Sequence, residues 1–111
     1  MNESNTTSSS SQDETQQSTH LDFGGAIRAM KNGEKVCREG WNGKGMFITM
    51  QKGYPNGIAC NKNTSEAFGI PEGTEIFVTP YLMMRAADRT LVTGWLASQT
   101  DMLAEDWRIV S

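Results

Sequence analysis

Two tryptophans of this 111-residue chain lie beside glycines, where few neighbouring side chains can cover an indole ring. Trp41 belongs to the run Gly-Trp-Asn-Gly-Lys-Gly at residues 40–45, and Trp95 follows Gly94 at the end of a predicted strand. An indole offers a flat apolar face and one N–H donor, the groups that stack on a purine. The amide of Asn42 can bond a base edge. The pattern indicates a nucleotide site, although composition alone favours the alternative that both tryptophans are core or interface anchors.

A short helix is predicted soon after Trp95. Ser-Gln-Thr-Asp at residues 98–101 has the spacing of a capping box, with Asp in place of the usual Glu, and the helical turn would run to about Glu105. Free N–H groups at residues 98–100 would form an anion site at the start of this helix. Stacking together with capture of phosphate by these amides would bind a small nucleotide without net positive charge.

Catalytic groups are scarce in this sequence. The only histidine, His20, lies in the polar N-terminal segment, so Cys37 and Cys60 have no imidazole partner to activate a thiolate. Four carboxylates are candidates for acid or base chemistry, but they are more simply explained as a turn former, a helix cap and a solvated helix face: Asp88, Asp101, Glu105 and Asp106. We therefore expect a protein that is not an enzyme and that has no cofactor and no metal site.

The net charge of −3 comes from the N-terminal segment. The first twenty residues hold three acidic side chains and no Lys or Arg, which leaves ten acidic and ten basic side chains in residues 21–111. A neutral domain is a poor candidate for sequence-independent binding of duplex nucleic acid, which relies on a field of Lys and Arg. No apolar run approaches the ~18 residues of a membrane span.

Residues 1–20 are predicted to be a disordered tail, and residues 21–111 to form one domain. The tail is rich in Ser, Thr, Asn and Gln, and it cannot bury enough apolar surface to offset the entropy of ordering. It also lacks the basic region and the apolar stretch of a secretory signal. Cys37 and Cys60, without metal-ligand spacing, are typical of reduced, partly buried thiols, with a single disulfide as the minority alternative. These features favour the cytoplasm.

The hydrophobic pattern predicts an α+β fold: a small antiparallel sheet of five to seven strands, an N-terminal helix and a short second helix. Asp22 would cap the first helix, whose apolar stripe contains Phe23, Ile27 and Met30, and Gly33 would end it. Strands are predicted at residues 35–39, 46–50, 58–60, 75–79, 81–87, 91–95 and 107–110. Residues 54–57 and 88–89 are predicted to be turns, and residues 61–73 a loop with room for one helical turn. Trp107 is predicted to lie in the core.

Several runs resemble the second family of phage Thoeris anti-defence proteins. The main ones are Gly-Trp-Asn-Gly-Lys-Gly-Met at 40–46, Tyr-Leu-Met-Met-Arg-Ala-Ala-Asp at 81–88, and Gly94 to Trp107. Residues 22–27 and 36–41 fit the same family. The resemblance covers about residues 21–111, is loose over 52–74, and is most specific from Trp95 to Trp107.

This resemblance implies a signalling-nucleotide sponge: a small protein without enzymatic activity that sequesters glycocyclic ADP-ribose in the cytoplasm of an infected bacterium and so blocks the Thoeris effector. It also implies a homotetramer with pockets between subunits, and some relatives hold cyclic dinucleotides. By motif position, Trp41 and Trp95 would stack on the ligand and Asn42 would bond it. The remaining candidate ligand-binding residues lie in or beside the pocket: Met46, Ala97, Ser98, Thr100, Asp101 and Met102.

The sequence departs from the family pattern in places. Arg89 stands where many relatives have Gly, the N-terminal tail is an addition, and residues 52–74 can alter which nucleotide is preferred. Three alternatives to the expected sponge stay open. They are a sponge for cyclic dinucleotides, a protein-interaction module without a nucleotide ligand, and an enzyme that hydrolyses or cyclises a nucleotide.

Overall fold

Seven strands and three helices make up the described part of the computed structural model, which is residues 20–41 and 44–111. The helices are α1 (Phe23–Lys31), α2 (Lys62–Phe68) and α3 (Gln99–Leu103). The strands are β1 (Lys35–Arg38), β2 (Phe47–Gln51), β3 (Tyr54–Ala59), β4 (Glu75–Val78), β5 (Tyr81–Arg85), β6 (Leu91–Thr93) and β7 (Trp107–Val110). The predicted α+β class is confirmed. Within the described residues, no helix is both long and apolar enough to cross a membrane.

Five strands form the main sheet in the order β6-β5-β2-β1-β7, with every neighbouring pair antiparallel. Val36 in β1 is opposite Ile48 on one side and Ile109 on the other. Leu21 exchanges two backbone hydrogen bonds with Trp107, at 2.6 and 3.1 Å, and so extends the β7 edge of the sheet. The chain that enters α1 is therefore held directly against the last strand.

Helix α1 covers the core on one face of this sheet. The Asp22 side chain accepts a hydrogen bond from the Gly25 N–H at 2.8 Å, which confirms the predicted N-cap. After the last turn, Gly33 has a φ of +91°, a conformation in which glycine avoids the clash of a Cβ. The fully buried side chains of the core are Ala26, Met30, Val36, Ile48 and Trp107. Trp107 is thus in the core, as predicted.

The segment between β2 and β5 differs from the sequence-based expectation. Residues 54–57 were predicted to be a turn, but they begin β3, which pairs with β4 in a separate two-stranded sheet. The pairing shifts register between Tyr54 and Ile58, where Gly57 has a φ of +104°. The expected loop at 61–73 contains α2, so the predicted count of two helices is wrong.

Helix α2 is defined by its two ends. The Asn61 side chain accepts a hydrogen bond from the Thr64 N–H at 2.9 Å, and Gly69 ends the helix with a φ of +70°. These are the standard start and stop signals of a helix. Only seven residues lie between them, which is why the segment looks like a loop when apolar periodicity alone is considered.

Both cysteines are free and buried, which agrees with the prediction of reduced thiols. Cys37 lies in β1, and burial raises the pKa of its thiol above the ordinary value. Cys60 follows β3, and its Sγ lies 3.4 Å from the carbonyl oxygen of Pro71. A raised pKa keeps the Cys37 thiol protonated and poorly nucleophilic at neutral pH.

Two glycines with the same backbone conformation provide a test of the close backbone packing between residue 53 and the end of β4. Gly53 and Gly94 have φ values of +68° and +71°, but a Cβ at Gly53 would lie 2.4 Å from the Val78 carbonyl oxygen, whereas a Cβ at Gly94 would meet nothing within 4 Å. We expect Gly94→Ala to lower the free energy of unfolding by about 1–2 kcal/mol, the conformational cost alone. Gly53→Ala should cost at least about twice as much, because the β3–β4 backbone must also shift. Urea denaturation measures both values, and equal losses would contradict the steric contribution at Gly53.

Candidate functional site

Three tryptophans meet beside the start of β7. Ring centroids are 5.4 Å apart for Trp41 and Trp107, 6.3 Å for Trp95 and Trp107, and 6.4 Å for Trp41 and Trp95. The interplanar angles of 65–81° are those of edge-to-face pairs, the arrangement that aromatic quadrupoles favour. We call these three residues the tryptophan cluster.

The members of the tryptophan cluster differ in exposure. Trp107 is fully buried, and its indole N–H donates to the Asp101 carbonyl oxygen at 3.0 Å. Trp41 and Trp95 pack against the core but remain half-buried. We call the rings of Trp41 and Trp95 the outer rings. Each has core contacts, as expected of a core anchor, and each keeps some exposed surface, as expected of a stacking site.

An ion-pair network holds the segments that carry the outer rings. The Arg38 side chain leaves β1 and donates from Nη1 to Asp101 and from Nε to Asp106, both at 2.9 Å. The second carboxylate oxygen of Asp106 accepts the Gly40 N–H at 3.0 Å. Because Gly40 directly precedes Trp41, this network links the turn that bears Trp41 to β1 and to the segment between α3 and β7.

Asp101 also closes the predicted capping box of α3. Its carboxylate accepts from the Ser98 N–H at 3.2 Å and from the Ser98 hydroxyl at 2.9 Å, while the Asp101 N–H donates to that hydroxyl oxygen at 3.1 Å. The capping box is therefore confirmed. The N–H of Ser98 is not free, however, contrary to the predicted anion site, because a carboxylate of the same helix already accepts it.

Both aspartates of the network are held in the charged form. Burial raises the pKa of Asp101, but hydrogen bonds from Arg38, Ser98 and the Trp41 side chain outweigh it, so that its pKa is lowered overall. The pKa of Asp106 is lowered mainly by its hydrogen bond with Arg38. One guanidinium and two carboxylates leave a single net negative charge beside the tryptophan cluster. Groups with such low pKa values are poor proton donors or acceptors near neutral pH.

The other carboxylates considered for acid or base chemistry also have structural surroundings. Asp88 accepts hydrogen bonds from the Thr90 N–H and hydroxyl, at 3.0 and 2.7 Å, and these bonds lower its pKa. Glu105 is exposed and lies beyond α3, which ends at Leu103. Asp106 also lies beyond this helix, so the expected solvated helix face is wrong for both Glu105 and Asp106. Within the described residues, no group of three or more His, Cys, Asp or Glu side chains is placed to hold a metal ion.

The structure brings some of the predicted site residues together. Trp41 and Trp95 belong to the tryptophan cluster, and Asp101 belongs to the ion-pair network beside it. The others lie on the flanking segments: half-buried Met46 and Ala97, and exposed Ser98, Thr100 and Met102. Asn42 lies outside the described residues. Sequence reasoning missed Arg38 altogether, because a lone Arg in a short strand gives no local signal of partners 63 and 68 positions away.

Replacing Arg38 tests the network. We expect Arg38→Gln to lower the free energy of unfolding by about 2–3 kcal/mol at pH 7, because two charge-assisted hydrogen bonds are lost and two carboxylates lose their cation. Lowered folded-state pKa values mean that the contribution of Asp101 and Asp106 is present above about pH 4 and is lost as the pH falls further. The cost of the substitution should therefore shrink at pH 3.

Urea denaturation at pH 7, 4 and 3 measures this pH dependence. Lys62→Gln is the matched control, because Lys62 forms an exposed ion pair with Glu66 at 4.0 Å, which is worth less than about 0.5 kcal/mol. A cost of Arg38→Gln that stays constant from pH 7 to pH 3 would contradict the assignment of the stabilising effect to charged carboxylates.

Comparison with known proteins places these features in a family. The sequence model of one protein family, described as the Thoeris anti-defense 2-like domain, matches residues 21–110 of this chain. A relative named Thoeris anti-defense 2, from Bacillus phage SP01, is 37% identical over 93 residues, which cover 84% of this chain and 98% of the relative. Trp41, Trp95, Trp107 and the Arg38 network all lie within the matched region. The chain belongs to the Thoeris anti-defense 2-like family, as the resemblance of its tryptophan-bearing runs indicated.

Proposed function

We propose that this protein is a phage anti-defence protein that binds the cyclic signalling nucleotide of the Thoeris system, glycocyclic ADP-ribose, and withholds it from the effector without degrading it. The observation that carries the proposal is the pair of half-buried indoles, Trp41 and Trp95, which are supported by buried Trp107 in a member of this family. The name of the relative from Bacillus phage SP01 supports the anti-defence part.

Stacking on the outer rings would supply much of the affinity. Each contact of an aromatic side chain with a base contributes about 1–3 kcal/mol. Two such contacts with several charge-assisted hydrogen bonds, at about 1.5–3 kcal/mol each, suffice for nanomolar binding once the entropy cost of association is subtracted. Contacts with Trp107 and the Arg38 network already restrict the outer rings, so binding would cost little additional side-chain entropy.

The charge beside the cluster sets the direction in which the ligand lies. Asp101 and Asp106 are charged and only one guanidinium, that of Arg38, neutralises them. A pyrophosphate close to Asp101 would be repelled. The base of the nucleotide would therefore lie against Trp41 or Trp95, with the pyrophosphate directed away from α3.

An oligomer would complete the site. Apolar side chains around α3 are strongly exposed: Leu96 by 88%, Leu103 by 78% and Met102 by 45%. Exposed apolar residues grouped beside a candidate ligand site are typical of a subunit interface. We propose a homotetramer in which Ala97, Ser98, Thr100 and Met102 approach the ligand at this interface, in the cytoplasm of the infected cell.

Substitution of the outer rings tests the binding proposal. We expect Trp41→Ala and Trp95→Ala each to weaken binding of glycocyclic ADP-ribose at least tenfold in isothermal titration calorimetry, because each removes a stacking face. Trp41→Phe and Trp95→Phe should lose less. Phe77→Ala is the control, since Phe77 is 66% exposed in the two-stranded sheet. Unchanged affinity in variants that retain native circular dichroism would contradict the stacking role.

Recovery of the ligand completes this experiment. The protein is mixed with glycocyclic ADP-ribose, heated to denature it, and the released small molecule is analysed by chromatography. Intact nucleotide is the expected result, whereas a hydrolysed or rearranged product would support the enzyme alternative. Cyclic dinucleotides are titrated in parallel. A chain that binds none of these ligands and whose melting temperature none of them raises would support the interaction-module alternative.

Substitution at the proposed interface tests assembly. We expect Leu96→Glu to convert the homotetramer to smaller species in sedimentation velocity at micromolar concentration, because it places a charge in an apolar contact. Asn63→Glu adds the same charge at an exposed position of α2 and should leave assembly unchanged. A wild-type monomer under these conditions would contradict a pocket between subunits.

A further inference from the structure

A basic cavity lies where the β1–β2 turn approaches the β5–β6 turn. Its volume is about 430 Å³, and its lining residues are Lys44, Gly45, Arg85, Ala86, Ala87 and Arg89. Three of the six lining residues carry a positive charge, and none is acidic. This concentration of charge is unusual in a domain whose residues 21–111 contain equal numbers of acidic and basic side chains.

The cations of this cavity are not neutralised by carboxylates among the described residues. The ion pairs among the described residues are formed by Arg38, Lys62, Arg108 and His20. None of them involves Lys44, Arg85 or Arg89. Asp88, the carboxylate of the same turn, bonds instead to the N–H and the hydroxyl of Thr90. Like charges held close together repel each other, so an anion that enters the cavity would relieve this repulsion.

Packing orients one of these cations. Arg85 is opposite Phe47 across β5 and β2, and its guanidinium carbon lies 5.8 Å from the Phe47 ring centroid. A guanidinium at that distance from an aromatic ring has a favourable cation–π contact. The contact limits the freedom of the Arg85 side chain at the cavity, so less entropy is lost when it bonds a ligand.

Arg89 is held at the cavity in a strained backbone conformation. It is the only non-glycine residue with a positive φ among the described residues, at +74°. Hydrogen bonds from Ala86 N to Thr90 O, at 2.8 Å, and from Arg89 N to Ala86 O, at 2.9 Å, fix the turn. Glycine would adopt this conformation without strain. A strained residue whose side chain lines a cavity points to a use for that side chain.

We propose that this basic cavity binds a phosphate-bearing anion, with Arg89, Arg85 and Lys44 as its ligands. Arginine is suited to this role because its planar fork can bond two phosphate oxygens at once, and lysine adds a mobile point charge. The volume accommodates a pyrophosphate group. The lining residues of the cavity include none of the three tryptophans, and the proposal does not depend on the function proposed for the tryptophan cluster.

The test is calorimetric titration of the full chain with inorganic pyrophosphate at low salt. We expect binding that Arg89→Gly weakens at least tenfold, with a thermal unfolding midpoint equal to or above that of the wild type because the turn loses its strain. Arg85→Gln should also weaken binding. Arg28→Gln is the control, because Arg28 is an exposed arginine of α1 on another part of the molecule. Wild-type protein that binds no pyrophosphate, or an Arg89→Gly variant with wild-type affinity, would overturn the proposal.

Two further arms identify the source of the phosphate and separate this site from the tryptophan cluster. Adenosine diphosphate that binds at least tenfold more tightly than pyrophosphate, and loses affinity in Arg89→Gly, would support a nucleotide ligand. Equal affinities would support the free anion as the ligand. Trp41→Ala and Trp95→Ala should bind pyrophosphate like the wild type, even if the function proposed for the cluster fails. A tenfold loss in these two variants would overturn the assignment of a separate site.

Discussion

The arrangement of the tryptophans depends on the guanidinium of Arg38. It bonds Asp101 in α3 and Asp106 before β7, and Asp106 in turn accepts the N–H of Gly40, next to Trp41. One side chain from β1 thus fixes both the turn before β2 and the short helix that follows Trp95. This network differs from an exposed ion pair, whose contribution is small, because its groups are mostly shielded from water and because backbone donors also bond the carboxylates.

Trp107 provides the second constraint, because the rings of Trp41 and Trp95 both pack edge-to-face against it. Its ring is fully buried between Phe23 of α1 and the rings of Trp41 and Trp95, and its N–H donates to the Asp101 carbonyl oxygen. Satisfying that donor matters because an unpaired buried N–H costs free energy. Asp101 therefore has three roles: its side chain completes the capping box of α3 and bonds Arg38, and its carbonyl oxygen accepts the Trp107 indole N–H. Trp41 and Trp95 are held by contacts within the chain itself, which is the preorganisation that the proposed ligand binding would use.

Local capping signals in the sequence were sufficient to predict the starts of α1 and α3, although not α2. Asp22 starts α1 as predicted, and the Ser98–Asp101 capping box starts α3, because both depend on side chains within one helical turn. The grouping of Trp41 with Trp95 was also predictable, from their turns and from the resemblance to the family. The pairing of residues 54–57 with β4 was not, since Pro and Gly favour a turn unless a distant strand provides a partner across a register shift. Arg38 was missed for the same reason, because its partners are defined only by the folded chain.

The distribution of charge supports different roles for the two proposed sites. Residues 21–111 carry no net charge, yet the tryptophan cluster borders a net negative network, while Lys44, Arg85 and Arg89 line a cavity without an acidic residue. Stacking on an indole needs no positive charge, and the adjacent carboxylates are engaged in holding the rings. Cations that form no ion pair favour the capture of an oxyanion, and of the two proposed sites the cavity is the one lined by such cations among the described residues. The β1–β2 turn carries Trp41 on one side of residues 42–43 and Lys44 on the other, so a single turn contributes to both. This turn is rich in glycine, and it supplies one aromatic side chain for stacking and one basic side chain for the proposed anion site.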